Sequence, residues 1–298
     1  MIRREFTPIL RDINGNILFK TNQKITRETI KQIVKEKTFD ATNISLCKDP
    51  IIDDIIAAID RGIYKTIFSK KNDQKQISNI LKQTRLTGAI LKELNNIKNI
   101  LPNTYNHILV VAALSIKICL DMNDDSYNPF KIANIGLVHD LGKSRLPVSI
   151  LEKDSPLTDA EFKVIQEHPM IEYLLISHYL NNPKSFVALA GFSHHERLDG
   201  SGYPRGIKQL DNYIQTIIPC DIFDALTSQR PYRNEPFTVR AALDLLLAES
   251  RKGRVNKKFV KCLISYVRKD KPHYREVKIS EENRDAPPRI NHYGIRKK

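Results

Sequence analysis

Residues 132–143 read Ile132-Ala133-Asn134-Ile135-Gly136-Leu137-Val138-His139-Asp140-Leu141-Gly142-Lys143, an apolar stripe that runs straight into two adjacent ionisable residues. His139 is in helical register with Ile132 and Ile135, so it points to the buried side. A helix ending here presents His139 and Asp140 at its end, with Lys143 about one turn later. The pattern recurs upstream, where His107 is in register with Val111, Leu114 and Ile118. Burying an isolated ionisable group is costly unless it is hydrogen-bonded or binds something. One such histidine is more often a hydrogen-bonded core residue than a ligand. Several in one bundle point to a metal site, because bundles project side chains from different helices into a shared interior. Imidazole with carboxylate is the donor set for iron, manganese or zinc.

Outward from this segment the periodicity is helical from Ile77 almost to residue 268, with breaks at Pro102, Asn123 to Pro129, Pro183 and the glycine-rich 199–206. The expected fold is mainly α: an all-α helical bundle over 101–268, a linking helical region over 71–100, and a small α+β domain over 1–70. A basic extended tail over 269–298 follows. Thr158-Asp159-Ala160-Glu161 is a capping box, expected to start a helix that carries His168 about two turns along. In the N-terminal part, Ile9 to Ile13 and Asn16 to Lys20 flank Asn14-Gly15, which predicts a hairpin with a type I′ turn. Thr26 is a plausible N-cap, and Asp49-Pro50 opens a helix bearing Ile51, Ile52, Ile55, Ile56 and Ile59. The polar stretch Lys70 to Gln76 is the expected boundary of this unit.

The chain has 298 residues, 41% hydrophobic and 28% charged, the composition of an ordinary soluble protein. No apolar run approaches what a membrane span requires, and the arginines of Met1-Ile2-Arg3-Arg4-Glu5-Phe6 have no apolar stretch behind them. A cytoplasmic protein is expected. Cys47, Cys119, Cys220 and Cys262 are widely spaced, which argues against a disulfide framework or a thiolate zinc site. The net charge of +14 favours anionic partners. Arg251 to Lys261 holds six basic and no acidic residues, either as a binding surface or as a solvated face. No nucleic-acid module is recognisable, so specific nucleic-acid binding is not expected.

The run His194-His195-Glu196-Arg197-Leu198-Asp199-Gly200-Ser201-Gly202-Tyr203-Pro204 and the segment Cys220-Asp221-Ile222-Phe223-Asp224-Ala225-Leu226 complete the constellation. Together with His139-Asp140 they resemble the HD-GYP family of bacterial cyclic-dinucleotide phosphodiesterases, over roughly residues 100 to 265. The resemblance implies two iron or manganese ions held by His107, His139, Asp140, His168, His194, His195 and Asp221, with Asp140 bridging them. Asn103 stands where some relatives carry a glutamate for a third metal, hence the expectation of two. The resemblance further implies substrate contacts from Lys143, Asp224, Arg230, Arg233 and Tyr203, with Asp140 and Lys143 catalytic. Gly200 to Gly206 follows no strand, so a dinucleotide-binding reading fails on context. Either it offers Tyr203 to substrate or partner, or it packs to order the site. Cys220 is read as packing, with oxidation sensing beside Asp221 as the alternative.

The function implied is hydrolysis of cyclic di-GMP to the linear dinucleotide, with further hydrolysis to GMP left open. The alternatives are another cyclic dinucleotide or nucleotide, or a catalytically silent receptor or scaffold. A protein partner on the GYP loop or the N-terminal domain, and a homodimer, stay open.

Overall fold

The computed structural model describes residues 9–20, 23–35, 43–47, 49–124, 126–231, 233, 235–279 and 285–288, so Tyr232 and the end of the expected tail lie outside the described residues. Apart from two small antiparallel sheets the described chain is helical, as expected. Strands β1 (Leu10–Arg11) and β2 (Ile17–Phe19) form the anticipated hairpin. The turn is not type I′, because Gly15 takes a positive φ of 88° and Asn14 does not. Asp12 decides the matter. Its Oδ1 accepts the N–H groups of Asn14 and Asn16 at 2.9 Å each, closing the loop through a side chain and leaving the left-handed conformation to the glycine.

Helix α1 (Arg27–Lys35) is capped by Thr26, whose hydroxyl accepts the Thr29 N–H at 3.1 Å. Strand β3 (Ile44–Leu46), α2 (Asp49–Ile59) and α3 (Gly62–Ile67) follow. The polar stretch expected as a boundary is the first part of α4 (Lys71–Gln83). Helix is then interrupted where none was expected: β4 (Arg85–Thr87) pairs antiparallel with β3, in register Ser45 to Leu86. Thr87 also caps α5 (Gly88–Ile100), accepting the Ile90 N–H.

The core is built around α6 (Pro102–Met122). Contrary to the expectation that no stretch is long and apolar enough, α6 could by length and composition cross a membrane, but 83% of its apolar stretch is buried inside the protein, as befits a helix hydrophobic on all sides. Helix α7 (Pro129–Val138) packs on α6 so closely that a Cβ at Gly136 would lie 2.6 Å from the Ala112 Cα. A short 3-10 turn, Leu141–Arg145, leads to α8 (Val148–Leu151) and α9 (Asp159–Ile165). The capping box opens α9: Thr158 and Glu161 exchange side-chain and backbone hydrogen bonds.

His168 is not carried on that helix. It starts a separate one, α10 (His168–Tyr179), because Pro169 has no N–H to donate and the helical ladder cannot run through it. Helix α11 (Phe186–Gly191) packs on α10, and α12 (Asn212–Thr227) crosses α6. Helices α13 (Val239–Arg251) and α14 (Lys257–Val267) close the bundle. The start of the expected extended tail folds back instead: Tyr274 and Val277 are buried, and Lys271 Nζ donates to the Thr66 and Ile67 carbonyls at 2.6 and 3.2 Å.

Candidate metal centre

Every α-helix leaves its last carbonyls without intrahelical partners. Three of the histidines expected as metal ligands use such carbonyls. His139 Nδ1 donates to Gly136 O at 2.8 Å at the end of α7, and His194 Nδ1 to Gly191 O at 2.5 Å at the end of α11. His168 Nδ1 donates to Ile165 O at 2.6 Å at the end of α9. Pro169 lies four positions after Ile165, so its missing N–H frees the carbonyl that orients His168. His107 sits inside α6, where carbonyls are engaged by the helix. Its Nδ1 donates instead to Asp224 Oδ2 at 2.5 Å. With Nδ1 as donor, each ring turns Nε2 inward, which is how metal-ligating histidines are oriented.

The Nε2 atoms converge. His107 and His139 approach to 3.4 Å, His168 and His194 to 3.2 Å, and His195 and His168 to 3.0 Å. Asp140, 1% exposed, stands between two groups: Oδ2 is 3.4 Å from His107 and 3.7 Å from His139, while Oδ1 is 3.4 Å from His168 and 3.9 Å from His194. Its Oδ1 has no hydrogen-bond partner among the described residues. Asp221 spans the same groups from α12, with Oδ1 3.0 Å from His107 Nε2 and Oδ2 3.9 Å from His195 Nδ1. Thus one ligand atom each of Asp140, His168, His194 and His195 falls within 4.8 Å, as do those of His107, His139 and Asp140, and the two groups share Asp140. Facing imidazole acceptors around an orphaned buried carboxylate oxygen is a donor set that fits divalent cations.

Charge states agree with this. Burial pushes the His139, His168 and His195 imidazoles below their ordinary value and His194 down to about 4. Burial opposes ionisation of Asp140 and Asp221, but Lys143 and the histidines outweigh it at Asp140, and His107 and the histidines at Asp221, so both carboxyls lie well below the usual range. His107 is the exception: burial opposes its protonation, yet bonds from Asp221 and Asp224 raise its pKa. Neutral imidazoles and ionised carboxylates are the forms that bind metal.

The residues read as substrate contacts separate into two sets. Lys143 Nζ lies 2.6 Å from Asp140 Oδ2 with its side chain 18% exposed, and Arg230 is 12% exposed with Nη2 3.4 Å from Asp224. Both, partly exposed, border the centre on its side nearest solvent. Asp224 and Arg233 do not. Asp224 is buried behind His107, where the Tyr64 and Ser228 hydroxyls donate to its Oδ1 at 2.5 and 2.7 Å. Arg233 is 1% exposed, donates to the Ala225 and Leu226 carbonyls at 3.1 and 2.7 Å and lies over Phe237. It caps the C-terminal end of α12 from a buried position and not from the surface.

Tyr203 stacks on His195 at 4.7 Å and donates its backbone N–H to the His195 carbonyl, so the glycine-rich loop orders the site. Glu196, fully buried, holds that loop by accepting the Arg205 and Ile207 N–H groups. Within the basic run, Arg254 is engaged by Asp199 and Glu249. Cys220 is fully buried with its thiol pushed up to about 12 by burial, which makes it a packing residue. Asn103 donates to Glu152 at 3.4 Å.

Two residues escaped the sequence reading. Glu172, one turn after His168 on α10, is a fully buried carboxyl whose pKa is raised well above the usual value by burial and then by Asp140; the spacing from His168 was its available signal. Tyr64 had none, because it lies far from the site in sequence.

Residues 76–258 match the family model described as HD domain. The cyclic di-GMP phosphodiesterase response regulator RpfG of Xanthomonas campestris pv. campestris (strain 8004) is 42% identical over 120 residues, 40% of this chain and 31% of the relative. A cyclic di-GMP phosphodiesterase of Thermotoga maritima is 36% identical over 133 residues, 44% of this chain and 36% of the relative. A 3′3′-cGAMP-specific phosphodiesterase 1 of Vibrio cholerae serotype O1 is 29% identical over 180 residues, 60% of this chain and 40% of the relative. The matched stretch is thus about a third of the length of the curated relatives RpfG and the Thermotoga enzyme.

Proposed function

Because the chain belongs to the HD domain family, and within it to the HD-GYP group, we propose that it is a metal-dependent phosphodiesterase that hydrolyses cyclic di-GMP to the linear dinucleotide, with GMP as a further product to be tested. The observation that carries this reading is Asp140, a buried carboxylate whose two oxygens face two separate histidine groups with inward Nε2 atoms. His107, His139, His168, His194, His195, Asp140 and Asp221 would hold two divalent ions, iron or manganese. Such ions activate water and neutralise charge on a phosphoryl transition state.

The chain's own groups do the rest. Asp140 and Asp221 hold the two groups at a common centre, and Nδ1 hydrogen bonds fix the rings of His107, His139, His168 and His194. Lys143 and Arg230 bring cationic donors to the side nearest solvent, where a phosphodiester would be gripped. Tyr203, stacked on His195, walls the same side. On this reading 101–268 is the catalytic domain and 1–70 a regulatory or interaction domain in a cytoplasmic signalling protein. Protein partners at the GYP loop and a homodimer are compatible with it.

The similarity to a 3′3′-cGAMP-specific enzyme supports a second reading, hydrolysis of another cyclic dinucleotide. The test is a panel of cyclic dinucleotides incubated anaerobically, under reducing conditions, with protein loaded with iron or manganese. Release of linear dinucleotide from cyclic di-GMP is expected. Turnover of only another substrate would shift the assignment to that substrate, and tight binding without turnover of any would replace the enzyme with a receptor or scaffold.

A further inference from the structure

Of the four histidines of the metal centre whose Nδ1 is hydrogen-bonded, His107 alone leans on a side chain rather than a backbone carbonyl. A carbonyl at a helix end is held by the main chain, but a carboxylate must be held by something else. Asp224 has two χ angles, so its carboxylate needs further partners to stay on His107 Nδ1. Its Oδ1 is fixed by the Tyr64 hydroxyl at 2.5 Å, with Ser228 as a second donor. Tyr64 is itself buried, and its oxygen lies 3.2 Å from Thr227 Oγ1.

Tyr64 belongs to α3, upstream of the residues 76–258 that match the family model. Helix α3 is short and its position is set from the far end of the chain. Lys271 Nζ donates to Thr66 O, Ile67 O and Ser69 Oγ at 2.6, 3.2 and 2.6 Å, clamping the carbonyl end of α3.

We propose that Tyr64 is a positioning residue of the metal centre, supplied by the N-terminal region, which acts through Asp224 to hold His107 Nε2 toward the Asp140–Asp221 face. This inference rests on the reading of the histidine–aspartate cluster as a metal centre. Its consequence is that a part of the chain outside the family match sets metal affinity, and any displacement of α3 is felt at His107.

The test uses the 298-residue chain and Mn(II) alone, with the free ion followed by electron paramagnetic resonance. Tyr64→Phe is expected to weaken Mn(II) binding by up to roughly 10-fold, the low end of what losing a ligand's direct partner costs, because Tyr64 acts one bond further out through Asp224. Tyr105→Phe is the control. It deletes a similar tyrosine–carboxylate bond, to Asp54 at 2.8 Å, from the same helix α6 that carries His107. It should stay within about twofold of wild type, on the ground that neither Tyr105 nor Asp54 bonds a residue of the centre through this contact and effects without shared partners do not couple. Asp224→Asn should weaken binding as well, and Tyr64→Phe added to it should have little further effect, since the two act in series. Equal loss in Tyr64→Phe and Tyr105→Phe would assign the effect to general destabilisation and overturn the proposal. So would wild-type affinity in Tyr64→Phe, or additive losses in the double variant. Wild-type protein that bound no Mn(II) would instead overturn the metal-centre reading itself.

Discussion

Gly136 is where the site depends most directly on helix packing. A Cβ at this position would lie 2.6 Å from the Ala112 Cα and 2.9 Å from its Cβ. Carbon atoms pack at about 3.5–4.0 Å, so Gly136→Ala must drive α6 and α7 apart by about 1 Å. Those two helices carry His107 and His139, whose Nε2 atoms are 3.4 Å apart. Overpacking of this kind costs about 1–3 kcal/mol, which for a chain of this size lowers the melting temperature by roughly 2–12 °C. A shift of about 1 Å at a catalytic group is enough to reduce turnover by roughly 100-fold. Scanning calorimetry of metal-free protein reads the first effect, and Mn(II) titration with a cyclic di-GMP turnover assay reads the second. Gly88→Ala is the companion variant, since a Cβ there meets only Asn43 at 3.8 Å, and it should leave both readouts unchanged. If Gly136→Ala melted and bound Mn(II) like wild type, the close contact could not be what sets the distance between the two histidines.

Asp140→Ala should abolish metal binding and turnover together, and metal content measured beside activity would expose a variant that keeps one and loses the other. His107 predicts the pH dependence of metal uptake. Its pKa is raised, so at acidic pH it holds a proton between Asp221 and Asp224 that a cation must displace; Mn(II) affinity should therefore climb as pH rises through that raised value, with a proton released. His194, at about 4, is already neutral over this range and adds no slope. Calorimetric titration in buffers of different ionisation enthalpy measures the proton released, and a flat profile from pH 6 to 8 would contradict the assignment. Arg233→Ala leaves the Ala225 and Leu226 carbonyls without this donor, and should lower unfolding free energy by about 1–3 kcal/mol in denaturant melts while KM stays near wild type. A large rise in KM with unchanged stability would restore Arg233 to the substrate site.

The residues proposed as metal ligands were legible because they break a local rule: His107 and His139 are ionisable groups on apolar helical stripes. The breaks read at Pro102 and at Asn123 to Pro129 were legible for a similarly local reason, and α6 and α7 start at those prolines. Long-range pairing left no such mark. Strand β4 is three residues that extend only because β3 lies beside them, and the periodicity around them is helical. Asp12 overrode the Asn14-Gly15 signal through a side-chain turn that the dipeptide does not encode. Pro169 was present in the sequence, but its effect, ending α9 and freeing Ile165 O for His168, needs the hydrogen-bond ladder to be followed residue by residue. Arg233 and Asp224 read as polar groups near a motif, and only burial shows that one caps a helix and the other supports a histidine.

The central claim is that one buried aspartate joins two histidine groups into a two-metal centre. Metal content per chain, measured on protein purified anaerobically and loaded with iron or manganese, tests it most directly. Two ions per chain are predicted; a chain that took up one ion, or none, would contradict the account.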